Sequence, residues 1–252
     1  MNVTTWNVNS IRARHAHFLT FLDDHQPDVL CLQELKCVES ELPWKEVQDR
    51  GYQMHALGQK TYNGVAILAR YPITDVGKNP HWPEDTQSRV IVGTVNGIRV
   101  VCIYVVNGQE VGCDKYAYKL EWLARLHAWL SGLPPAPTIL CGDYNIAPAD
   151  NDTYDPAEWA GKILCSPPER AAFTGVLGLG FADAYRVVHP TRQQFTWWDY
   201  RMSGFEQNKG LRIDHHLVSS EVQHRTLDVT VHLEGRGKPQ ASDHAAVTLH
   251  LR

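Results

Sequence analysis

Eight polar residues carry the chemistry open to this sequence: Asn7, Glu34, Tyr104, Asp143, Asn145, Asp214, Asp243 and His244. Each falls at the end of a short apolar run that reads as a strand, or in the turn beside one. Carboxylates gathered without cysteine suit a hard cation such as Mg²⁺ or Mn²⁺, which prefers oxygen donors and keeps several waters. A histidine among them is favoured as the imidazolium by the nearby anions. Cation, imidazolium, phenol and amides together stabilise the charge that builds on a pentacoordinate phosphate. Asp143 could serve as a base there only with its pKa raised above the ordinary value of about 3.9, and repulsion among crowded carboxylates is the expected cause. Singly, the residues have plainer readings: Glu34 as a solvated acid, Asp243-His244 as a surface pair, Gly142-Asp143-Tyr144-Asn145 as an Asx-type turn.

The elements that must position these groups alternate between apolar strands and amphipathic helices. Residues 3–6, 29–32 and 137–141 read as strands whose far ends deliver Asn7, Glu34 and the Asp143/Asn145 pair. In an extended chain the period of two would send Asp143 and Asn145 to one side. Strands are also expected near 52–56, 64–69, 88–95 and 98–106, the last two joined by Asn96-Gly97, a strong hairpin signal. Spacing of Ile11, His15, Phe18, Leu19 and Leu22 predicts a helix over about 11–25, and residues 40–51 a short one. A third runs from Asp114, as N-cap, to about Ser131, with Tyr116, Leu120, Leu123, His127 and Leu130 on its inner face. Asp155-Pro156 and Ser166-Pro167 mark two further helix starts. The acid-rich loop 149–155 lacks calcium-loop spacing and reads as solvated, His215 and His216 as structural, and Trp197 and Trp198 as core aromatics unless a site claims them.

A length of 252 residues accommodates one substantial core, and with no linker, repeat or low-complexity tract a single domain over 1–252 is expected. Hydrophobic residues at 43% and charged residues at 21% exclude disordered and fibrous classes. A net charge of −4 argues against broad non-specific nucleic-acid binding, although carboxylates reserved for a cation contribute to it and local basic patches can coexist with it. Six cysteines without a CxxC pair suggest buried thiols in a reducing cytoplasm. No signal peptide or membrane span is expected.

Five ordered blocks now make a resemblance: Trp6-Asn7-Val8-Asn9-Ser10-Ile11-Arg12, Leu32-Gln33-Glu34-Leu35-Lys36, Gly142-Asp143-Tyr144-Asn145, Gly210-Leu211-Arg212-Ile213-Asp214 and Ser242-Asp243-His244. Together they resemble the signature of the endonuclease/exonuclease/phosphatase superfamily, across essentially the whole chain. The stretch Phe195-Thr196-Trp197-Trp198-Asp199-Tyr200-Arg201 is similar to the exonuclease III-type abasic-site endonucleases in particular. Departures are Leu35, Val106 and Ser10, where the repair enzymes often have threonine, proline and glycine; none removes a catalytic group.

The resemblance implies a four-layer α/β sandwich, with two mixed β-sheets packed face to face and flanked by helices. It implies Mg²⁺-dependent hydrolysis (Mn²⁺ a possible substitute) of the phosphodiester 5′ to an abasic site, with 3′→5′ exonuclease action and removal of 3′ blocking groups. Double-stranded DNA with abasic sites or blocked 3′ ends would be the partner, and a monomer is expected. Glu34 would be the main metal ligand, with Asn7 and Asp243 in support. Asp143 would handle the attacking water and Asn145 help hold it or the phosphate. His244, paired with Asp214 or Asp243, and Tyr104 would bind the scissile phosphate. Trp197, Leu211 and Ile213 would wall a pocket for the flipped sugar, and Arg89, Asn107 and Gln109 are candidate DNA contacts. Two rivals remain: a phosphate- or damage-binding module with little catalysis, and a phosphoesterase of other specificity.

Overall fold

A computed structural model describes residues 1–252. Its strands are β1 (Asn2–Asn7), β2 (Val29–Gln33), β3 (Gln53–Leu57), β4 (Val65–Ala69), β5 (Thr74–Lys78), β6 (Val90–Val95), β7 (Ile98–Tyr104), β8 (Thr138–Asp143), β9 (Ala182–Asp183), β10 (Trp197–Trp198), β11 (Gly210–Leu211), β12 (Asp214–Val218), β13 (Thr226–His232) and β14 (Ala246–Leu251). The helices are α1 (His15–His25), α2 (Trp44–Asp49), α3 (Asp114–Ser131), α4 (Pro156–Trp159), α5 (Pro167–Leu177), α6 (Ala184–Val188), α7 (Ser220–Gln223) and α8 (Leu233–Arg236). One mixed sheet has the order β13-β14-β1-β2-β4-β3 and the other β5-β6-β7-β8-β12-β9.

Apolar runs with no polar alternation belong to strands buried on both faces. In β2, Val29 and Cys31 enter the core between the two sheets, while Leu30 and Leu32 face a second core with Phe18, Phe21 and Leu22 of α1. In β8, Ile139 and Cys141 join the inter-sheet core and Leu140 packs with Trp122, Leu126 and Phe173 of the other helical layer. The result is helix, sheet, sheet, helix: the four-layer sandwich expected from sequence. No helix is long and apolar enough to cross a membrane.

Register brings the polar ends together. Across parallel β7 and β8, Tyr104 lies opposite Asp143, and across antiparallel β8 and β12, Asp143 lies opposite Asp214. Asn7 ends β1 opposite Gln33, which precedes Glu34. Three chemical groups are thus neighbours on adjacent strands of one sheet, facing the end of the other.

Gly142 permits this pairing. Its φ is +153°, and a Cβ there would sit 1.8 Å from the Ile103 carbonyl oxygen across the β7/β8 pairing. Gly142→Ala should therefore cost about 3 kcal/mol in urea denaturation, because backbone must move to admit the methyl group. A stability change below about 1 kcal/mol would contradict that tight approach.

The Asn96-Gly97 hairpin forms as expected, and several other expectations are revised. Asn96 and Gly97 are both left-handed, φ 50° and 75°, as a primed two-residue hairpin turn demands. Helix α3 has the expected span, but Cys113 is its N-cap and Asp114 its first residue. Its buried face is Tyr116, Lys119, Trp122, Leu123, Leu126 and Leu130, so Leu120 and His127 lie to one side of the stripe. Strands β5 and β13 carry weak apolar patterns and were not anticipated.

His215 and His216 are buried in β12, as structural residues. His215 Nε2 lies 2.9 Å from the Ile146 carbonyl, to which it donates, and its Nδ1 accepts from Arg212 at 3.0 Å, which fixes the neutral tautomer. Burial lowers the pKa of His215 from 6.5 to about 4, with the Arg212 charge adding to the effect, and burial lowers that of His216 to about 3. Below pH 6.5 the unfolded chain binds protons that these rings refuse, so stability should fall as pH drops from about 6.5 towards 4. Urea midpoints across that range should decline, and His216→Leu should flatten the decline; an unchanged slope would remove His216 from the account.

Candidate active site

The strand ends converge on a cleft of about 310 Å³ lined by Glu34, Tyr104, Asn107, Asp143, Asn145, Trp197, Ile213, Asp243 and His244, among others. Its buried spine is a line of three charges. Both oxygens of Asp214 lie within 3.1 Å of His244 Nδ1, and His244 Nε2 lies 3.7 Å from Asp143 Oδ2. Of the two partners foreseen for His244, then, Asp214 is the one it takes.

Local sequence sets this line. Thr196 accepts the backbone N–H groups of Ile213 and Asp214 at its hydroxyl and donates to Asp214 Oδ2 at 2.6 Å, which holds the carboxylate under the imidazole. Ser242 donates to the Asn7 carbonyl at 2.6 Å and accepts the His244 N–H at 3.2 Å, tying the Ser-Asp-His segment to the end of β1. Neither role could be read from the sequence, where both residues pass for ordinary turn hydroxyls.

The turn after Asp143 shows that the plain and the chemical readings coincide. Asp143 Oδ1 accepts the Asn145 backbone N–H at 2.8 Å, an Asx turn. Asn145 has φ 49°, so the period of two does not bring these side chains together; the turn does. Asn145 Nδ2 then donates to the Val105 carbonyl at 3.0 Å and approaches Asp143 Oδ2 at 3.3 Å, and its Oδ1 accepts from Asn107 Nδ2 at 3.1 Å.

Burial pushes the Asp143 pKa up to about 7, with Asp214 and Glu34 adding to the rise and the His244 charge opposing it. Desolvation leads, and the repulsion expected from sequence comes second. Burial alone would lower His244, but the charges of Asp214 and Asp143 overcome it and raise the pKa to about 10, so the ring is an imidazolium at neutral pH. Burial and the neighbouring Glu34 charge raise the Tyr104 phenol well above its usual range, which keeps it a donor.

Glu34 is surrounded by donors. Its oxygens accept from Asn7 Nδ2 at 2.8 Å and Tyr104 OH at 2.9 Å, and Lys36 Nζ lies 2.7 Å away. Burial works against its charge, yet Lys36 and Asn7 outweigh it and hold the pKa below the ordinary value. Asn7 Nδ2 also donates to Asp143 Oδ2 at 2.9 Å, so one amide spans both carboxylates. Glu34, Asp143 and His244 each offer a ligand atom within 4.8 Å of the others. With His244 protonated and turned to Asp214, the remaining donors are carboxylate oxygens, a set that fits a hard divalent cation.

Backbone strain marks the same place. Asn9, Ser10, Glu34, Lys36 and Asn145 all have positive φ without being glycine. Such residues persist where the surroundings over-determine them, often at functional sites. Ser10, one of the departures from the family pattern, adopts φ 84°, a conformation that glycine would take freely.

Other expected site residues are placed differently. Asp243 gives its two oxygens to Asn9 Nδ2 at 2.9 Å and Trp197 Nε1 at 3.0 Å, and it stands outside the group that could share one ion. Trp197 and Ile213 line the cleft, but Leu211 does not: paired with Trp197 across β10 and β11, it is fully buried with Ala147, Leu164 and Cys165. Trp159, Ile163 and Leu164 form part of the apolar wall instead. Arg89 is buried and points inward, donating to Gln87 and the Tyr104 carbonyl and stacking 4.7 Å from the Tyr104 ring. It therefore holds Tyr104 and is not a free DNA contact. Asn107 lines the cleft, whereas Gln109 is exposed outside it.

Two buried charge clusters support these loops, and the sequence showed neither. Lys119, fully buried, pairs with Glu169 and donates to the carbonyls of Asn107 at 3.1 Å and Asn145 at 2.7 Å. Glu169 in turn accepts from Leu164 N and Ser166 N, the capping box of α5. Asp152, in the loop expected to be solvated, is fully buried against Arg212 and Arg186.

Comparison with known proteins identifies the family and the fold. Residues 4–244 match the Endonuclease/Exonuclease/phosphatase family. The chain is 32% identical over 262 residues to the exodeoxyribonuclease III of Haemophilus influenzae, covering 98% of each. It is 32% identical to a DNA repair nuclease of Danio rerio, covering 100% of this chain and 82% of that relative. A Neisseria 3′ phosphatase solved with a product DNA hairpin superposes with a TM-score of 0.98 at 44% identity, covering 100% of this chain and 99% of that one. An AP endonuclease from Archaeoglobus fulgidus gives 0.95 at 32% identity, with the same coverage.

Proposed function

The chain belongs to the endonuclease/exonuclease/phosphatase family, and from that premise we propose that it is a metal-dependent DNA repair nuclease acting through the Asp143, His244 and Glu34 centre. Its substrates are double-stranded DNA with abasic sites or blocked 3′ ends. One bond change serves all three activities: water joins phosphorus as the bond from phosphorus to the 3′ oxygen breaks, leaving a 3′ hydroxyl. At an internal abasic nucleotide this is incision on its 5′ side; at a strand terminus it is 3′→5′ exonuclease action; at a 3′ phosphate it is end cleaning. The chain works as one catalytic domain and as a monomer.

The observation that carries the reading is the Asp214, His244, Asp143 line ending beside an ionised Glu34 in a partly apolar cleft. Asp143, with its pKa near 7, takes a proton from the attacking water at physiological pH. Asn145, fixed by Asp143 and Val105, orients that water or a phosphate oxygen. His244, held protonated by Asp214, and Tyr104 hydrogen-bond the phosphate oxygens as charge builds there. Glu34 would hold the metal, and Asn7, donating to both, ties its carboxylate to that of Asp143. Mg²⁺ suits this oxygen-donor set, with Mn²⁺ as a substitute, and when bound supplies positive charge that polarises the phosphate. Asp243 positions Trp197, and Trp197 with Ile213 forms the apolar surface that receives a sugar lacking its base.

An oligonucleotide panel tests this. With Mg²⁺ the protein should nick a duplex carrying one abasic analogue and release phosphate from a 3′-phosphorylated end; EDTA should abolish both reactions and added Mg²⁺ restore them. Intact DNA alongside cleaved phosphoinositide or RNA would reject the assignment.

A further inference from the structure

Three potential ligands meet where α1 ends beside the turn from β13 into α8. His25 is the last residue of α1, His232 the last of β13, and Glu234 lies in α8. Glu234 Oε1 is 3.4 Å from His25 Nε2 and 3.3 Å from His232 Nδ1, and all three ligand atoms fall within 4.8 Å of one another. Zinc bonds to such atoms measure about 2.0–2.2 Å, so ligands on a tetrahedral ion sit roughly 3.3–3.6 Å apart. Both separations match that edge, and both exceed the usual length of a charge-assisted hydrogen bond, about 2.7–2.9 Å.

The surroundings orient these groups as ligands. His232 Nε2 lies 2.8 Å from the Thr248 hydroxyl, which is itself 2.8 Å from the Thr4 hydroxyl. When the ring proton sits on Nε2 and is given to Thr248, the Nδ1 lone pair faces the Glu234 carboxylate 3.3 Å away, an arrangement in which a cation can bridge the two. The ring is held by its other nitrogen in the manner usual for metal-bound histidines. The two imidazoles pack edgewise with ring centroids 4.4 Å apart, which keeps their ring nitrogens close to Glu234 on one side. Beside them is a cavity of about 50 Å³, also bordered by His17, Asp24 and Arg236, with room for water at a fourth coordination position.

We propose that His25, His232 and Glu234 bind a zinc-class divalent cation, distinct from the oxygen-liganded catalytic centre. Two imidazole nitrogens and one carboxylate select such an ion over Mg²⁺, which prefers oxygen. The ion fastens α1 to α8. Two residues beyond Glu234, Arg236 donates to the carbonyls of Asp243 at 3.3 Å and Trp198 at 3.2 Å, so this clamp braces the segment leading to His244.

Cobalt(II) is the probe, because nitrogen-liganded tetrahedral Co²⁺ absorbs visible light. Full-length protein, stripped with chelator and saturated with Mg²⁺, should develop a visible band at one equivalent of Co²⁺, and Zn²⁺ should displace it. His25→Ala and Glu234→Gln should each weaken binding at least about tenfold. Neither side chain is buried in the core, and unchanged melting of the metal-free variants would show that they fold. Glu34→Gln should retain the band. A band unaffected by His25→Ala and Glu234→Gln, a band lost only with Glu34→Gln, or no band in the folded protein would overturn the proposal.

Discussion

Asp143→Asn is expected to slow single-turnover incision of an abasic duplex by roughly 10²- to 10⁴-fold, the range that one positioned base contributes. The substitution preserves shape, so the Asx turn to Asn145 N can survive through the amide oxygen, while the Asn7 contact, made at the other oxygen, is given up. What disappears is the proton acceptor. The same change should leave thermal stability equal or raise it. Burial disfavours the Asp143 carboxylate in the folded state, so at neutral pH and above its raised pKa is a stability cost: the folded form binds its proton more tightly than the unfolded chain does. A neutral amide removes that cost. Activity lost while the melting temperature holds or rises separates a chemical role from misfolding. A rate loss below about tenfold in rapid-quench assays, with Mg²⁺ saturating, would reject Asp143 as the group that takes the water's proton.

Much of this centre was legible because strands announce themselves. Apolar runs such as Val29-Leu30-Cys31-Leu32 and Ile139-Leu140-Cys141 end abruptly, and the polar residues just beyond them lie on the rim of the sheets. Order and type of the eight polar residues could therefore be read, and so could the sandwich, through the resemblance those blocks carry. Register could not. Nothing local dictates that Asp143 faces Asp214 on one side and Tyr104 on the other; pairing across distant segments decides it. The choice of Asp214 over Asp243 as the His244 partner depends on that pairing and on Thr196. Lys119 escaped notice for a different reason. A lysine in an amphipathic helix reads as the solvent face, and only Glu169 together with the two carbonyls beyond the helix compensates its burial. Asp152 misled in the same way: an acid in an acid-rich loop looks solvated until the partner guanidinium, 60 residues away in sequence, is placed.

That guanidinium carries the second large effect. Arg212 is 1% exposed and donates through Nε to Asp152 at 2.7 Å, through Nη2 to Asp183 at 2.7 Å, and through Nη1 to His215 Nδ1 at 3.0 Å. Burial alone would raise both carboxyl pKa values, yet the Arg212 charge holds each below the ordinary value. Arg212→Met keeps much of the volume and removes the charge, leaving Asp183 buried without its cation and His215 without its donor. Breaking a buried ion pair from one side costs about 3–5 kcal/mol, because the remaining charge is stranded in a poorly solvated site. Asp183→Asn in the Arg212→Met background should recover part of that loss, and a double-mutant cycle should be clearly non-additive. Since His215 also donates to the Ile146 carbonyl, next to Asn145, the disturbance should reach the catalytic turn. Incision by folded Arg212→Met at low temperature should thus fall too, but far less than with Asp143→Asn, because no reacting group is removed. Urea denaturation showing a loss under about 1 kcal/mol, or strict additivity with Asp183→Asn, would mean that the cluster contributes little to stability.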